Sequence, residues 1–295
     1  MTTFRARVTA PWALASRLFP LAESAFEDDG VPVTLFETHD GGPWTVEVLL
    51  FDGDAETAAA RLREAVGPEG ADLPVVVDEL GEANWVEESL KGLAPVAEGR
   101  FVIHGAHDRG RVNAQVPIEI DAGLAFGTGH HATTVGCLAA IERRMRCGPV
   151  RRPLDLGTGT GVLAIAMARL GAAKVVATDI DPVAVKVAID NARLNGVAPR
   201  IEAFRATGMS DPRLTRGGFD LIVANILARP LMRLAPAIVR ALTPRATLVL
   251  SGLRLDDAAR IIAVYRGQGV KLVRRDPRGS WTTLTFVREP RPHRA

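Results

Sequence analysis

The sequence predicts an α/β protein with a mostly parallel sheet, preceded by a small α+β domain. From about residue 100 onwards, short apolar segments alternate with helical segments, as in a parallel sheet that is covered by helices on both faces. The earlier residues follow a different order, β-α-β-β-α, which predicts a separate domain. The length of 295 residues suits about two domains of roughly 150 residues each.

Residues 1–80 are predicted to form the small domain. A strand-like alternation in FRARVTA is followed by the helical spacing of PWALASRLFPLAESAF, with Pro11 suited to a first turn. Two further strands flank the turn HDGGP, which is a hairpin signal. A short helix capped by Asp54 and a fourth strand, PVVVDEL, complete a sheet with helices on one face. Residues 81–99 mix a short helical segment with Gly and Pro, and we interpret them as a linker.

Residues 100–288 are predicted to form the larger domain. Its last two strands, KLVRRD and WTTLTFV, are separated by the tight turn PRGS, so we expect them to pair antiparallel. One antiparallel strand would then close an otherwise parallel sheet. The tail at 289–295 is polar and rich in Pro, and we expect it to be disordered.

The segment Leu154–Pro182 is the strongest functional signal, because it reads as a strand, a glycine turn, a helix and a second strand that ends on an acid. Gly157, Gly159 and Gly161 allow the backbone to turn sharply and to approach a ligand closely. The carboxylate of Asp179, at the end of the second strand, is suited to accept hydrogen bonds from two ribose hydroxyls. The segment therefore predicts a cofactor that contains a nucleoside.

The spacing of the glycines distinguishes between nucleoside cofactors. The dinucleotide fingerprint is G-x-G-x-x-G, whereas Val162 takes the place of its last glycine here. Asp155 precedes the turn, and a pyrophosphate requires a helix N-terminus without nearby anions. S-adenosylmethionine has a ribose, an adenine, a sulfonium and no phosphate, and it fits this pattern. The alternative is an ordinary turn without a ligand. The presence of Asp179 at the end of the second strand argues against this alternative.

Asn225 ends the apolar strand FDLIVAN and is the predicted catalytic residue and a cofactor contact. Its amide oxygen can accept a hydrogen bond from a target amine, and its NH₂ can donate to the cofactor. The alternative is an Asn that suits turn geometry. Methyltransferases that modify nucleic-acid bases carry Asn-Pro-Pro-aromatic at this point, and the aromatic ring stacks on a flipped base. The residues Ile226–Ala228 include no aromatic, which argues against a base as substrate.

The glycine-rich loop AFGTGHHATT should reach the same edge of the sheet. We predict that Phe126, Gly127 and Thr134 contribute to the cofactor site, since Gly127 allows the loop to fold tightly over the cofactor. The hydroxyl of Thr134 meets the methionine part or, like that of Thr133, caps the following helix. The His130–His131 pair has no third ligand at a metal-site spacing, so we expect no metal. Catalysis by one of these histidines as a base is a minor alternative.

Composition argues against several other classes of protein. A net charge of +2 is too small to indicate a nucleic-acid partner. Cys137 and Cys147 form no C-x-x-C pair, so neither a disulfide framework nor a zinc site is supported. No apolar run reaches the roughly 18 residues of a membrane span, and the first residues lack the apolar core of a signal peptide. We therefore expect a cytoplasmic protein without membrane or nucleic-acid partners.

Five motifs together resemble a known family. DAGLAFGTGHHATT, DLGTGTGVLAIA, DIDP, DNARLNG and ANILA occur in this order in the methyltransferases that modify protein number eleven of the large ribosomal subunit. The resemblance covers about residues 84–290 and extends to the N-terminal domain. It implies a seven-stranded Rossmann-like methyltransferase sheet, a ferredoxin-like domain for substrate recognition at residues 1–80, and a monomer.

The resemblance also implies a cofactor site and a reaction. Thr134, Gly157, Asp179 and Asn225 would contact S-adenosylmethionine, and methyl groups would pass to lysine ε-amines and to the N-terminal α-amine of the ribosomal protein. A protein lysine methyltransferase with a non-ribosomal target is the alternative, because such relatives share the motifs. A small-molecule methyltransferase would not need the N-terminal domain. The retained site residues argue against a binding module without catalytic activity.

Overall fold

The chain divides into two compact units, Met1–Glu88 and Ser89–Ala295, in a computed structural model. The predicted linker falls largely on residues 81–94, which lie outside the described residues, as do residues 290–295 of the predicted disordered tail. The structure describes residues 3–26, 31, 33–38, 42–50, 53–80, 95–121 and 132–289.

The first unit is an antiparallel four-stranded sheet with two helices. The strand order is β2-β3-β1-β4, and every neighbouring pair is antiparallel. This β-α-β-β-α-β arrangement is the ferredoxin-like one that the family resemblance implies. The elements are β1 Thr3–Ala10, α1 Trp12–Phe26, β2 Val33–Glu37, β3 Trp44–Leu50, α2 Ala55–Val66 and β4 Val75–Leu80.

Alternation along the strands places both helices on one face of this sheet. Val48 of β3 is almost fully buried and shares a core with Leu18 of α1 and Leu62 of α2, whereas the residues on either side of it in the strand face the other way. The predicted cap of α2 is confirmed, because the carboxylate of Asp54 accepts a hydrogen bond from the N–H of Thr57 at 2.8 Å. This bond satisfies one of the free N–H groups of the first helical turn.

A seven-stranded sheet forms the centre of the second unit, in the order β10-β9-β8-β11-β12-β14-β13. The strand β14 runs antiparallel to both neighbours, which confirms the β13–β14 pairing that the PRGS turn predicted, and the other neighbouring pairs are parallel, as the alternation of strands and helices predicted. After β8, the chain forms β9 and β10 on one side of this strand and then crosses to form β11 on its other side. The strand order therefore reverses between β8 and β11. The strands are β8 Pro153–Leu156, β9 Val175–Asp179, β10 Ile201–Arg205, β11 Phe219–Asn225, β12 Leu242–Arg254, β13 Val270–Arg278 and β14 Trp281–Arg288.

Helices cover both faces of the seven-stranded sheet, as predicted. One core contains residues of α3, α4 and α5, such as Leu138 and Ile165, and the other contains residues of α6, α7 and α8, such as Leu231 and Ile261. Among the described residues, no helix is both long enough and apolar enough to cross a membrane. The helices are α3 Ala132–Arg146, α4 Val162–Arg169, α5 Pro182–Leu194, α6 Pro212–Thr215, α7 Ala228–Ala241 and α8 Ala258–Gly267.

A small three-stranded sheet precedes the large one, and it corrects the predicted linker. Its strands are β5 Val96–Glu98, β6 Phe101–His104 and β7 Val116–Glu119, with β5 antiparallel and β7 parallel to β6. The first of these strands falls within residues 81–99, which the sequence predicted to be a linker. Three residues are too few to show strand alternation, and the tight turn at Gly99, with a φ of 58°, is what allows β5 to pair with β6.

Candidate cofactor site

The glycine turn between β8 and α4 is bonded to the end of β9. The N–H groups of Gly157 and Thr158 both donate to the carbonyl of Thr178, at 2.8 and 2.9 Å. The N–H of Gly159 donates to Oδ2 of Asp179 at 2.9 Å. The glycine turn and the acid that the sequence singled out therefore lie in direct contact.

The three glycines of the turn have conformations that other residues rarely adopt. Gly157, Gly159 and Gly161 have φ values of 75°, 53° and 84°, in the left-handed region. A Cβ at Gly157 would lie 2.4 Å from Cγ2 of Ile226, and a Cβ at Gly161 would lie 3.0 Å from the backbone of Ala188. The conformation thus disfavours a side chain at all three positions, and Gly157 and Gly161 also have little space for one.

Backbone groups fix the orientation of the Asp179 carboxylate. Its Oδ2 accepts from Gly159, and its Oδ1 accepts from the N–H of Asp181 at 3.1 Å. Since an ionised carboxylate has about four acceptor positions, each oxygen can still accept a hydroxyl. The next residue, Ile180, is 59% exposed and presents apolar surface beside the carboxylate. This edge is suited to a ribose with an attached base.

Asp155 places a fully buried carboxyl beneath the turn. Its Oδ2 accepts from Oγ1 of Thr158 at 2.7 Å and from the N–H of Ala164 at 3.0 Å. Its Oδ1 is also buried and has no hydrogen-bond partner in the part of the chain that the structure describes. Burial, with a smaller contribution from nearby Asp179, raises the pKa of Asp155 to about 7, against the opposite effect of the two hydrogen bonds. A cationic ligand would favour the ionised form of this carboxyl.

Asn225 and Thr134 meet at the end of β11. The Nδ2 of Asn225 donates to Oγ1 of Thr134 at 3.4 Å. The interpretation of Thr133 or Thr134 as the cap of α3 is wrong, because this helix begins at Ala132 and contains both residues. Instead, Ser251 of β12, which pairs with Asn225, donates to the carbonyl of Thr133 at 3.0 Å and ties the first turn of α3 to the sheet.

Two predicted cofactor contacts, Phe126 and Gly127, lie within residues 122–131, outside the described residues, and their role stays a prediction. The His130–His131 pair falls in the same range. Within the described ranges, no group of three or more His, Cys, Asp and Glu side chains is arranged to hold a metal ion.

Sequence reasoning missed two features of the site. It considered Asp155 only as a clue to the charge of the ligand, although an acid inside the apolar strand PLDL signals a buried carboxyl that requires partners. It noted Asn191 only as part of the motif DNARLNG. The signal there was an amide on the apolar side of an amphipathic helix, and Asn191 is in fact 1% exposed.

The fold and this site define an α/β methyltransferase with a Rossmann-like sheet. The glycine turn follows the first strand of the parallel part, the acid ends the second, and the polar residues meet where the strand order reverses.

Comparisons with known proteins identify the family. A family model described as ribosomal protein L11 methyltransferase matches residues 35–289. The chain is 43% identical over 291 residues to the ribosomal protein L11 methyltransferase of Rhizobium meliloti (strain 1021), covering 98% of this chain and 100% of that protein. It is 46% identical over 286 residues to the protein of the same name from Mesorhizobium japonicum, covering 96% and 99%. The chain therefore belongs to the ribosomal protein L11 methyltransferase family.

A solved structure agrees with this assignment. The ribosomal protein L11 methylase of Lactobacillus delbrueckii subsp. bulgaricus matches with a TM-score of 0.61 and 32% identity, covering 67% of this chain and all of that one. Methyltransferases of this family depend on S-adenosylmethionine, which confirms the cofactor that the sequence predicted. The described residues fit this compound, because Asp179 suits a ribose, the glycines leave room for a close ligand, and the partnerless Oδ1 of Asp155 suits a cation.

Replacing Asp179 by Ala should weaken cofactor binding by at least roughly 10- to 100-fold, since the loss of even one hydrogen bond to a charged group costs about 1.5–3 kcal/mol. The fold should persist, because Asp179 is half-buried at the end of its strand. Isothermal titration with S-adenosylmethionine measures the change, and circular dichroism checks the fold. Asp190→Ala is the control: Asp190 lies on α5, and within the described ranges its carboxylate forms exposed ion pairs with Lys186 and Arg193 alone, so binding should not change. Unchanged binding by Asp179→Ala would refute the ribose assignment.

The buried carboxyl of Asp155 predicts that cofactor affinity depends on pH. With a pKa of about 7, this group is partly protonated at neutral pH, and a bound sulfonium would lower its pKa. Binding then releases a proton, so affinity for S-adenosylmethionine rises from about pH 6 to about pH 8. S-adenosylhomocysteine lacks the sulfonium charge and serves as the matched ligand. The affinity for S-adenosylmethionine divided by that for S-adenosylhomocysteine, measured by titration, should rise several-fold over this pH range in the original protein and stay constant in Asp155→Asn. A ratio that does not change with pH in either protein would contradict the prediction.

Proposed function

We propose that this chain transfers methyl groups from S-adenosylmethionine to amine nitrogens of ribosomal protein L11, namely lysine ε-amines and the α-amine of the N-terminus. One observation carries the proposal: in a chain of this family, the bonded pair of Gly159 and Asp179 lies at the same sheet edge as the bonded pair of Asn225 and Thr134. A nucleoside site and a polar acceptor for an amine thus share one edge.

Each group of residues has a distinct role toward the cofactor in this proposal. The turn Gly157–Gly161 allows close approach of the backbone, and Asp179 accepts from the ribose hydroxyls. Exposed Ile180 supplies an apolar surface for the adenine. The charge of Asp155 favours the sulfonium end, which supplies the methyl group when the cofactor is bound. Thr134 lies toward the methionine part, and we retain Phe126 and Gly127 as further predicted contacts.

Asn225 is the proposed catalytic residue because its amide oxygen can orient the attacking amine. The hydrogen bond from its Nδ2 to the hydroxyl of Thr134 supports this role, since an amide oriented in this way keeps its Oδ1 as the acceptor for the amine. The Oδ1 then accepts an N–H of the amine, which directs the nitrogen lone pair toward the methyl carbon. The rate enhancement comes mainly from this positioning.

The amine must lose a proton to become a nucleophile. An ordinary lysine, with a pKa of about 10.4, is almost fully protonated at neutral pH, whereas an α-amine has a pKa of about 7.7–8.0. Burial next to a positive charge lowers both values. As the C–N bond forms, the C–S bond breaks and its electron pair stays on sulfur, and the nitrogen releases its extra proton. Asn225 has no basic atom at neutral pH, so the proton passes to water.

We further propose that the first unit recognises the ribosomal protein. The proposed cofactor site draws on the second unit alone, and relatives named as ribosomal protein L11 methyltransferases match the chain over almost its full length, including the first unit. A ribosomal substrate also implies that the chain acts in the cytoplasm. A monomer remains our prediction.

Labelled methyl transfer tests the proposed function. The protein is incubated with S-adenosylmethionine labelled in its methyl group and with ribosomal proteins from cells that lack this methylation, and mass spectrometry locates the label. We expect label on lysine and N-terminal amines of protein L11. Label on other proteins alone, or on nucleic acid, would contradict the proposal.

Two variants separate the proposed roles in the same assay. Asn225→Ala should bind the cofactor within a few-fold of the original protein but transfer methyl groups at least about 100-fold more slowly, because positioning is lost. The fragment 89–295, if folded by circular dichroism, should bind the cofactor but not methylate protein L11. Full activity in the fragment would remove the recognition role of the first unit.

A further inference from the structure

Two buried asparagines, Asn191 on α5 and Asn195 at the C-terminal cap of this helix, face the chain that leaves β7. Asn191 and Asn195 are 1% and 9% exposed, and their spacing of four residues places them on the same face of the helix. Buried amides need hydrogen-bond partners, because leaving one unsatisfied costs about 1–3 kcal/mol. Each of these side chains forms three hydrogen bonds among the described residues.

The two amides hold alternate residues of one extended segment. Asn195 accepts from the N–H of Glu119 at 3.0 Å and donates to its carbonyl at 2.7 Å. Asn191 accepts from the N–H of Asp121 at 2.9 Å and donates to its carbonyl at 2.9 Å. Between them, Ile120 donates to a carbonyl of β6 at 2.9 Å. The side chains of α5 therefore continue the backbone pairing beyond the end of β7.

Only Asn191 also reaches the glycine turn. Its second Nδ2 hydrogen is donated to the carbonyl of Thr160 at 2.9 Å, whereas the third bond of Asn195 goes to the carbonyl of Asn191 within the same helix. The turn also packs against α5 at a second point. A Cβ built on Gly161 would lie only 3.0 Å from the backbone of Ala188. One amide thus bonds at the same time to the turn and to the segment at Asp121.

We propose that Asn191 is a positioning residue that sets cofactor affinity without touching the cofactor. Its amide holds the Thr160–Gly161 peptide, in the turn that binds the cofactor, in register with Asp121, two residues beyond β7. This inference rests on the proposed cofactor site. An Asn is required because two donors and one acceptor are used at once, and Asp would keep the acceptor but lose both donors.

Asn195 is the matched control for this proposal. It caps the same helix one turn further along the chain, is also buried, forms the same number of side-chain bonds and holds the same segment, but it has no bond to the turn. A purely structural role would make Asn191→Ala and Asn195→Ala equivalent. If Asn191 has a positioning role, Asn191→Ala should lower cofactor affinity more than Asn195→Ala does, although both variants lose similar stability.

The test combines urea unfolding with calorimetric titration of S-adenosylmethionine, at a temperature where each full-length variant is folded. We expect Asn191→Ala and Asn195→Ala to unfold at similarly lowered urea concentrations. Affinity should fall about tenfold or more in Asn191→Ala and in Asn191→Asp, but less than about threefold in Asn195→Ala. Equal affinity losses at positions 191 and 195 would overturn the proposal. Failure of the original protein to bind the cofactor would instead overturn the proposed function.

Hydrogen exchange of the original protein provides a readout that requires no variant to fold. The N–H of Asp121 is bonded to Asn191, which is bonded to the glycine turn. Adding S-adenosylhomocysteine should therefore slow exchange at Asp121 as well as in the turn. Slower exchange in the turn with unchanged exchange at Asp121 would show that the two segments are not coupled and would overturn the proposal.

Discussion

The hydrogen bond from Gly159 to the carboxylate of Asp179 is the constraint on which the site depends. It joins the turn after the first strand of the parallel part to the end of the second, and the bonds from Gly157 and Thr158 to the carbonyl of Thr178 reinforce it. The positive φ angles of the turn are tolerated because all three positions that need them are glycines. The ligand edge is thus formed by backbone geometry, and side chains add selectivity.

Charge distinguishes this edge from that of a dinucleotide-binding protein with a similar sheet. Pyrophosphate sites use a helix N-terminus without nearby anions, whereas here Asp155 is buried beneath the turn and Asp179 lies beside it. Keeping a carboxyl at full burial costs free energy, as its raised pKa indicates. A positively charged ligand offsets that cost only when it is bound, so the same feature that destabilises the empty site favours a sulfonium.

Sequence reasoning succeeded where the signal is local and repeats. Alternation and helical spacing identified the four-stranded and the seven-stranded sheet, the PRGS turn identified the antiparallel strand, and Asp54 identified a helix cap. It failed where contacts are distant in sequence. The bonds from Asn191 and Asn195 reach residues 70 and 76 positions away, and no periodicity marks their targets. The bond from Ser251 to the carbonyl of Thr133, which lies inside α3, likewise joins residues 118 positions apart, and no local pattern encodes it.

The most direct test of this account is a crystal structure of the protein with S-adenosylhomocysteine. The account predicts density for the nucleoside at the carboxyl ends of β8 and β9, with at least one ribose hydroxyl within about 3.2 Å of a carboxylate oxygen of Asp179. It also predicts that the bond between Gly159 and Asp179 persists in the complex. A nucleoside bound at another edge of the sheet, or a ribose out of hydrogen-bond reach of Asp179, would contradict it.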